Sequence, residues 1–188
     1  LRDFSDKAQR EAFAAAVWES DVPAAPPRNE ADAVGPAVAR AAAAFPAWRD
    51  ADPQERAATL LRAATEMRVR RDSLAGVLVR ESGKTWREAD ADLCEAIDFC
   101  EYYARVAAAM FRPKRLGRFV GEWSELSYQP RGVAAVISPW NFPSAIFTGM
   151  TVASLVTGNT AIVKPSEQTP GIALAICEML WRAGVPAD

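Results

Sequence analysis

The chain has 188 residues, 50% of them hydrophobic, and its 22 Lys and Arg residues nearly balance its 24 Asp and Glu residues, for a net charge of −2. This balance argues against a nucleic acid or another polyanion as partner, and the best apolar run, Gly149 to Val156, is far too short to span a membrane. Histidine is absent, which excludes a Ser-His-Asp or Cys-His nucleophile within this chain and any histidine metal site.

The first 110 residues carry the patterns of α-helices. Asp52 followed by Pro53 is a strong helix start, because a capping residue precedes a proline at the first helical position. Gly83 is expected to end a helix that starts near Asp72. A linker with three prolines is predicted over Val22–Asn29. Helices are predicted over five segments: 1–20, 31–48, the stretch from Asp52, the stretch from Asp72 to Gly83, and about 85–110.

Beyond residue 110 the pattern changes to strands and turns. Residues 111–130 mix arginine, glycine and aromatic residues, and they predict two strands around a turn near Gly121. Two later β-branched apolar runs are typical of buried parallel strands, whose carboxyl ends line a ligand crevice. The predicted order is strand 133–137, helix 144–157, strand 160–164 and helix 169–183. This β-α-β-α order predicts an α/β fold class that begins a doubly wound parallel sheet.

The first buried strand runs into the loop Ile137-Ser138-Pro139-Trp140-Asn141-Phe142-Pro143. Two prolines fix the backbone around Asn141, and a rigidly held amide donor is what an oxyanion site requires, because it must be in place before charge develops. The alternative is an ordinary strand-to-helix turn in which Asn141 or Ser144 caps the next helix. Spacing alone favours the ordinary turn.

The second strand ends at Lys164-Pro165-Ser166-Glu167. An ammonium and a carboxylate three residues apart, on a turn held by proline, can grip a vicinal diol, with the lysine donating and the glutamate accepting. A carboxylate there would also repel a 2′-phosphate and favour NAD over NADP. The alternative is a solvated turn in which Glu167 lies near a helix start and suits its dipole. The usual G-x-G-x-x-G dinucleotide fingerprint is absent.

The three cysteines, Cys94, Cys100 and Cys177, show no metal or redox spacing. Cys100 and Cys177 are predicted as small buried hydrophobic residues without a cationic neighbour that would lower the pKa. Asp92 and Glu95 disfavour the Cys94 thiolate. An odd cysteine count favours reduced thiols and a cytoplasmic setting.

Together these motifs resemble the aldehyde dehydrogenase superfamily. The sequence VISPWNFP followed by GNTAIVKPSEQTP has that family's order and spacing, and the likeness extends upstream through Glu81-Ser82-Gly83-Lys84-Thr85 to cover about residues 34–188. Within the superfamily, segments 88–104 and 141–160 and the opening LRDFSDKAQREAF are most similar to glutamate-γ-semialdehyde (Δ1-pyrroline-5-carboxylate) dehydrogenases. These enzymes are stand-alone or form the C-terminal half of the bifunctional proline-utilisation protein.

The resemblance implies a fold and a division of the chain. N-terminal helices would lead into a doubly wound, Rossmann-like NAD-binding domain that carries a β-hairpin arm. Residues 1–110 would be the helical part of the cofactor domain, 111–130 the oligomerisation arm, and 131–188 the first β-α-β-α of the NAD-binding domain. The catalytic domain would be absent.

The resemblance also implies roles for individual residues. Asn141 would donate to the oxyanion of the thiohemiacetal, and Phe142 would line the aldehyde tunnel against the substrate's methylenes. The residues implied along the NAD cofactor are Ile137, Ser138, Pro139, Trp140 and Asn141, and those implied at its adenosine ribose are Lys164, Ser166 and Glu167. No metal ligand is implied.

Two features depart from the family pattern. The nucleophilic cysteine, the general-base glutamate and the pyrophosphate-binding turn would lie past Asp188, and none of the three cysteines present matches the nucleophile motif. The strand-rich segment expected after the first helix is shortened to VPAAPPRNEA. Since the chain also starts at Leu1 rather than Met, we expect a fragment that is inactive by itself but belongs to an active enzyme.

The function implied is NAD-dependent oxidation of L-glutamate γ-semialdehyde to L-glutamate in proline catabolism. One alternative is an aldehyde dehydrogenase of other specificity, such as one for succinate semialdehyde. A second alternative, from another class, is a truncated non-catalytic module for NAD binding or oligomerisation. The expected partners are the aldehyde substrate, a proline dehydrogenase that is fused or associated, and further copies of the chain, in the cytoplasm.

Overall fold

Seven α-helices and two small sheets form in residues 1–24 and 31–187, the part of the chain that the computed structural model describes. The predicted linker over Val22–Asn29 lies largely outside these residues. A 3₁₀ turn at Ala31–Ala33 precedes the second helix. The elements are α1 (Lys7–Glu19), α2 (Val34–Asp50), α3 (Pro53–Val69), α4 (Arg71–Ser82), α5 (Trp86–Met110), β1 (Lys114–Arg115), β2 (Glu125–Leu126), β3 (Val133–Ile137), α6 (Ala145–Val156), β4 (Thr160–Lys164) and α7 (Pro170–Ala183).

Local side chains explain where several helices begin and end. Asp52 accepts a hydrogen bond from the Gln54 amide at 2.9 Å, which satisfies one of the free N–H groups at the start of α3. Thr85 and Glu88 form a reciprocal capping box at the start of α5. Gly83 ends α4 with φ 69°, a left-handed conformation that glycine adopts without steric cost.

The first helix is shorter than the predicted 1–20. It begins at Lys7 because Asp6 caps it, accepting from the Gln9 amide at 3.1 Å. The residues before it are fastened elsewhere, since the guanidinium of Arg2 donates to both carboxylate oxygens of Asp72. Capping and this long-range ion pair therefore decide the boundary.

The second sheet places the two loop motifs side by side. Strands β3 and β4 are parallel and are paired from Val133 opposite Thr160 to Ile137 opposite Lys164. The prediction of two buried strands is wrong for β3, in which only Val136 is buried because alternate residues face solvent, and β4 is mostly half-buried. Helix α6 forms the connection between them, as a parallel pair requires. The carboxyl ends of both strands therefore open onto the same edge.

The core lies where α5 packs against α3, α4 and α6. Trp48 of α2 is buried and donates from Nε1 to the carbonyl of Leu155 at 2.9 Å. The guanidinium of Arg56 is buried and donates to carbonyls at the end of α2, with a further bond to Val156 at 3.2 Å. These bonds satisfy helix-end carbonyls that would otherwise be buried without partners.

Strands β1 and β2 form the predicted hairpin, but each has only two residues. Gly117 and Gly121 between them have positive φ values of 79° and 83°, so the chain turns repeatedly rather than extending. Large apolar side chains on this hairpin face solvent, including Trp123 at 71% exposure. No helix in the described ranges is both long enough and apolar enough to cross a membrane.

Candidate functional site

The two predicted motifs meet at the carboxyl edge of the β3–β4 sheet. Ile137 lies beside Lys164 in the register, and the Ser138 amide donates to the Lys164 carbonyl at 3.2 Å. This bond extends the ladder by one residue and fixes the start of the first loop relative to the second. Ligands of open α/β sheets bind at such an edge.

The first loop presents most of its predicted residues to solvent. Trp140 is 56% exposed and Phe142 is 43% exposed, and Asn141 between them is also exposed. Ser138 is the exception, because its side chain is buried. Only its backbone contributes to this edge. Asn141 lines a shallow depression of about 250 Å³ together with Trp140, Lys84 and Glu88.

A carboxylate from α5 holds the back of this loop. Oδ1 of Asp92 accepts from the amide of Ala145, the first residue of α6, at 2.7 Å. Ser144 occupies the N-cap position, but its side chain makes no capping hydrogen bond. The alternative in which Asn141 or Ser144 caps α6 is therefore wrong, because Asp92 supplies the acceptor.

Lys84 joins Asp92 to the exposed part of the loop. Its Nζ lies 3.5 Å from Oδ2 of Asp92 and 4.5 Å from the ring centroid of Phe142. The ammonium thus forms an ion pair on one side and a cation–π contact on the other. Burial raises the pKa of Asp92 above its ordinary value, although the Ala145 hydrogen bond and the charge of Lys84 act in the opposite direction.

The second loop carries a loose ion pair. Nζ of Lys164 lies 3.8 Å from Oε2 of Glu167, and both side chains are largely exposed, at 61% and 82%. Ser166 is buried, and its hydroxyl accepts from the Gln168 amide at 3.3 Å. Because Lys164 and Glu167 are exposed and weakly paired, they can form hydrogen bonds to a diol without losing a strong interaction.

Glu167 does not cap the helix that follows it. The first amides of α7, those of Gly171 and Ile172, donate instead to the carboxylate of Glu81 at 2.6 and 2.9 Å. Glu81 comes from the end of α4. Glu167 therefore makes no capping hydrogen bond, but its exposure agrees with the alternative of a solvated turn near a helix start as well as with a ligand-binding role.

None of the three thiols has the character of a nucleophile. Burial raises the pKa of Cys100 and of Cys177 to about 12, as expected for cysteines in an apolar setting, although Cys177 is half-buried rather than fully buried as predicted. The pKa of Cys94 is raised as well, first by burial and then by the charges of Asp90 and Asp98. The expectation for Cys94 has the right direction, but burial is the main cause, and the contributing carboxylates are Asp90 and Asp98 rather than the predicted Asp92 and Glu95.

Sequence reasoning assigned no role in the site to Lys84, Asp92 and Glu81, whose contacts link distant segments. One signal for Asp92 was present in the sequence. It lies between Ala89 and Ala96, on the stripe that α5 buries, where a charged residue is rarely found without a specific partner.

Comparisons with known proteins show the family of this chain. Residues 6–188 match the aldehyde dehydrogenase family. The chain is 49% identical over 150 residues to 1-pyrroline-5-carboxylate dehydrogenase 2 of Bacillus subtilis, covering 80% of this chain and 29% of that protein. It is 40% identical over 219 aligned residues to 1-pyrroline-5-carboxylate dehydrogenase of Geobacillus kaustophilus, covering 100% of this chain and 42% of that protein.

Two solved structures show the same fold. One is 1-pyrroline-5-carboxylate dehydrogenase from Thermus with bound NAD, at 36% identity and a TM-score of 0.89, covering 98% of this chain and 42% of that one. The other is proline utilization A from Bdellovibrio bacteriovorus inactivated by N-propargylglycine, at 34% identity and a TM-score of 0.92, covering 99% of this chain and 23% of that one.

The chain spans only part of each relative, from 29% to 42% of the two curated proteins. The alignment with the Geobacillus protein is also longer than the chain itself. Its 219 aligned positions exceed the 188 residues present by 31, so that relative has at least this many positions without a counterpart here.

Proposed function

Because this chain belongs to the aldehyde dehydrogenase family, we propose that the whole protein carrying it oxidises L-glutamate γ-semialdehyde to L-glutamate with NAD. The observation that carries the proposal is the convergence of the Asn141 loop and the Lys164–Glu167 loop at one sheet edge. The substrate is proposed from the 1-pyrroline-5-carboxylate dehydrogenases, to which the chain is 40% and 49% identical.

In this proposal the amide of Asn141 stabilises negative charge on the aldehyde oxygen. A thiolate outside these 188 residues would attack the carbonyl carbon, and the oxygen would then become an oxyanion. Asn141 is exposed on a loop anchored by the Ser138–Lys164 backbone bond in front and the Asp92–Ala145 bond behind. Such fixed donors are effective because no reorganisation is needed as charge develops.

NAD, which would supply the hydride acceptor, fits the residues of the second loop. The exposed Lys164 ammonium can donate to one ribose hydroxyl while the exposed Glu167 carboxylate, only loosely paired with it, accepts from the other. The same carboxylate would repel a 2′-phosphate, so we propose NAD rather than NADP. Ile137, Pro139 and Trp140 would offer an exposed surface along the cofactor, Ser138 would contribute its backbone, and Ser166 would shape the turn.

We also propose the division of the chain into a helical part over 1–110, an arm over 111–130 and the β-α-β-α over 131–188. The exposed apolar residues of the arm, such as Trp123, would pack on a second copy of the chain, since patches of this kind mark interfaces. Reduced thiols would suit the cytoplasm. A proline dehydrogenase, fused or separate, is the proposed partner, supported by the likeness to proline utilization A.

The test is NADH formation by the full-length protein, given NAD and glutamate γ-semialdehyde, beside an Asn141→Ala variant. Loss of one oxyanion donor should lower kcat about a hundredfold or more. Activity on other aldehydes alone would reject the substrate but keep the family chemistry. Inactivity on every aldehyde would favour the alternative of a non-catalytic module.

A further inference from the structure

A buried ion pair lies directly behind the loop that carries Asn141 and Phe142. The Asp92 side chain is 0% exposed and that of Lys84 is 13% exposed. The two side chains contact each other, and each also contacts the chain beyond Asn141: Asp92 the Ala145 amide at the start of α6, and Lys84 the Phe142 ring in the loop. The pair therefore holds the loop just beyond Asn141, at two successive points.

Stability alone explains this pair poorly. At 3.5 Å the Lys84–Asp92 contact is an ion pair rather than a hydrogen bond, and Oδ2 of Asp92 has no hydrogen-bond partner in the described residues. Ser144 Oγ, at the start of α6, is likewise buried without a partner there. A buried charge with incomplete hydrogen bonding contributes little net stability, so an apolar residue would serve a purely structural role as well.

The position of the pair points to a role in catalysis instead. Asn141 lies four residues before Ala145, which Asp92 holds, and immediately before Phe142, which Lys84 touches. Lys84 and Asn141 also line the same shallow depression. An error of about 1 Å in the position of a reacting or stabilising group can lower a rate about a hundredfold.

We infer that Lys84 and Asp92 are positioning residues, which act through the loop to hold the Asn141 amide and the Phe142 ring in their working places. This inference rests on the proposed function. Neither residue needs to touch the aldehyde. Asp92 fixes the backbone by accepting from Ala145, and Lys84, paired with Asp92, places its ammonium against the face of the Phe142 ring.

The chain offers a matched control for this inference. Asp90 lies two residues before Asp92 on α5, is equally buried, and pairs with Arg71 at 2.5 Å. Its other contact is the backbone amide of Arg2 at 2.8 Å, on the side of α5 away from the loop. Asp90→Ala therefore removes a buried carboxylate from the same helix without releasing Asn141.

The experiment compares the full-length enzyme with Asp92→Ala, Asp92→Asn and Asp90→Ala, using an aldehyde that the wild type oxidises. Asp92→Ala should lower kcat by about tenfold to a hundredfold, whereas Asp90→Ala should lower thermal stability but leave kcat within about twofold. The kcat of Asp92→Asn should lie between those of the other two variants, because the asparagine oxygen can still accept from the Ala145 amide. Lys84→Met should lower kcat, because it removes the ammonium. Lys84→Arg keeps a positive charge and should retain most of the wild-type kcat.

A double-mutant cycle separates positioning from general damage. If Asp92 acts through Asn141, Asp92→Ala should add less than about twofold to the loss already caused by Asn141→Ala, since residues that act as a unit are not additive. Fully multiplicative losses, or an Asp92→Ala enzyme with wild-type kcat, would overturn the inference.

Hydrogen–deuterium exchange gives a second readout that needs no turnover. Peptides covering residues 138–148 should exchange at least about tenfold faster in Asp92→Ala than in the wild type or in Asp90→Ala. If the full-length protein oxidises no aldehyde, the proposed function fails and this comparison alone decides the structural inference. Equal exchange in Asp92→Ala and the wild type would then reject it.

Discussion

Glu81 fastens the end of α4 to the beginning of α7, and its removal should loosen the second ligand loop. The carboxylate accepts from the amides of Gly171 and Ile172 at 2.6 and 2.9 Å. These amides belong to the first turn of α7, where N–H groups have no partner within the helix. Gly171 fits closely there, because a Cβ at this position would lie 2.8 Å from Oε1 of Glu81.

The size of the effect follows from these contacts. A hydrogen bond to a charged group contributes about 1.5–3 kcal/mol, and a negative charge at a helix N-terminus adds about 0.3–1 kcal/mol. Since Glu81 is half-buried and water can replace part of the lost bonding, we expect Glu81→Ala to cost about 2–3 kcal/mol. Glu81→Gln keeps one acceptor and should cost about half as much.

The assay is native-state hydrogen exchange of peptides covering residues 170–183 in the full-length protein, because global unfolding of a larger protein need not be two-state. The matched control is Glu167→Ala, which removes an exposed carboxylate three residues before α7. We expect these peptides to exchange faster in Glu81→Ala than in the wild type, and at the wild-type rate in Glu167→Ala. The reverse pattern would show that Glu167, not Glu81, stabilises the start of α7.

Three further outcomes are expected. Glu167→Ala should raise the KM for NAD about tenfold, the equivalent of one hydrogen bond to a charged group, and should leave kcat unchanged; an unchanged KM would remove Glu167 from the cofactor site. Because the pKa values of Cys100 and Cys177 are raised to about 12, both thiols should resist alkylation by iodoacetamide at pH 8 until the protein is unfolded. Labelling is detected by mass spectrometry, and rapid labelling of the native protein would contradict the raised pKa values. Burial raises the pKa of Asp92, so its contribution to stability is present below the ordinary carboxyl pKa and is lost as pH rises through the raised value. The free energy of unfolding measured between pH 4 and 7 should therefore depend less on pH in Asp92→Asn than in the wild type.

Local signals predicted the elements of this fold well. The capping residue Asp52, the terminating Gly83 and the parallel strands at 133–137 and 160–164 all depend on signals within a few residues, and the structure confirms each of them. The predicted burial of the first strand is wrong, because one of its two faces is left uncovered by the described residues. The two loop motifs could be placed at one sheet edge for the same reason, because the carboxyl ends of neighbouring parallel strands must lie together.

The contacts that hold the loops were not predictable in this way. Asp92 and Ala145 are 53 residues apart, and Glu81 and Gly171 are 90 apart. No periodicity links such pairs, since their distance in space depends on how whole helices pack. Ser144 was a reasonable cap for α6 from its position, yet a carboxylate from another helix occupies that role.

These two long-range contacts share a design that bears on function. In each, an acidic side chain from the helical first half of the chain accepts from one or two amides at the start of a helix that follows a proposed ligand loop: Asp92 from one amide of α6 and Glu81 from two of α7. Each therefore fixes the point at which the chain leaves the sheet edge, while the residues facing a ligand stay exposed. Helix N-termini would otherwise offer these N–H groups to an anion, and here the protein's own carboxylates bind one amide at α6 and two at α7. We therefore propose that a ligand at this edge is recognised by loop side chains such as Asn141, Lys164 and Glu167, rather than by the amides of Ala145, Gly171 and Ile172, which the carboxylates already bind.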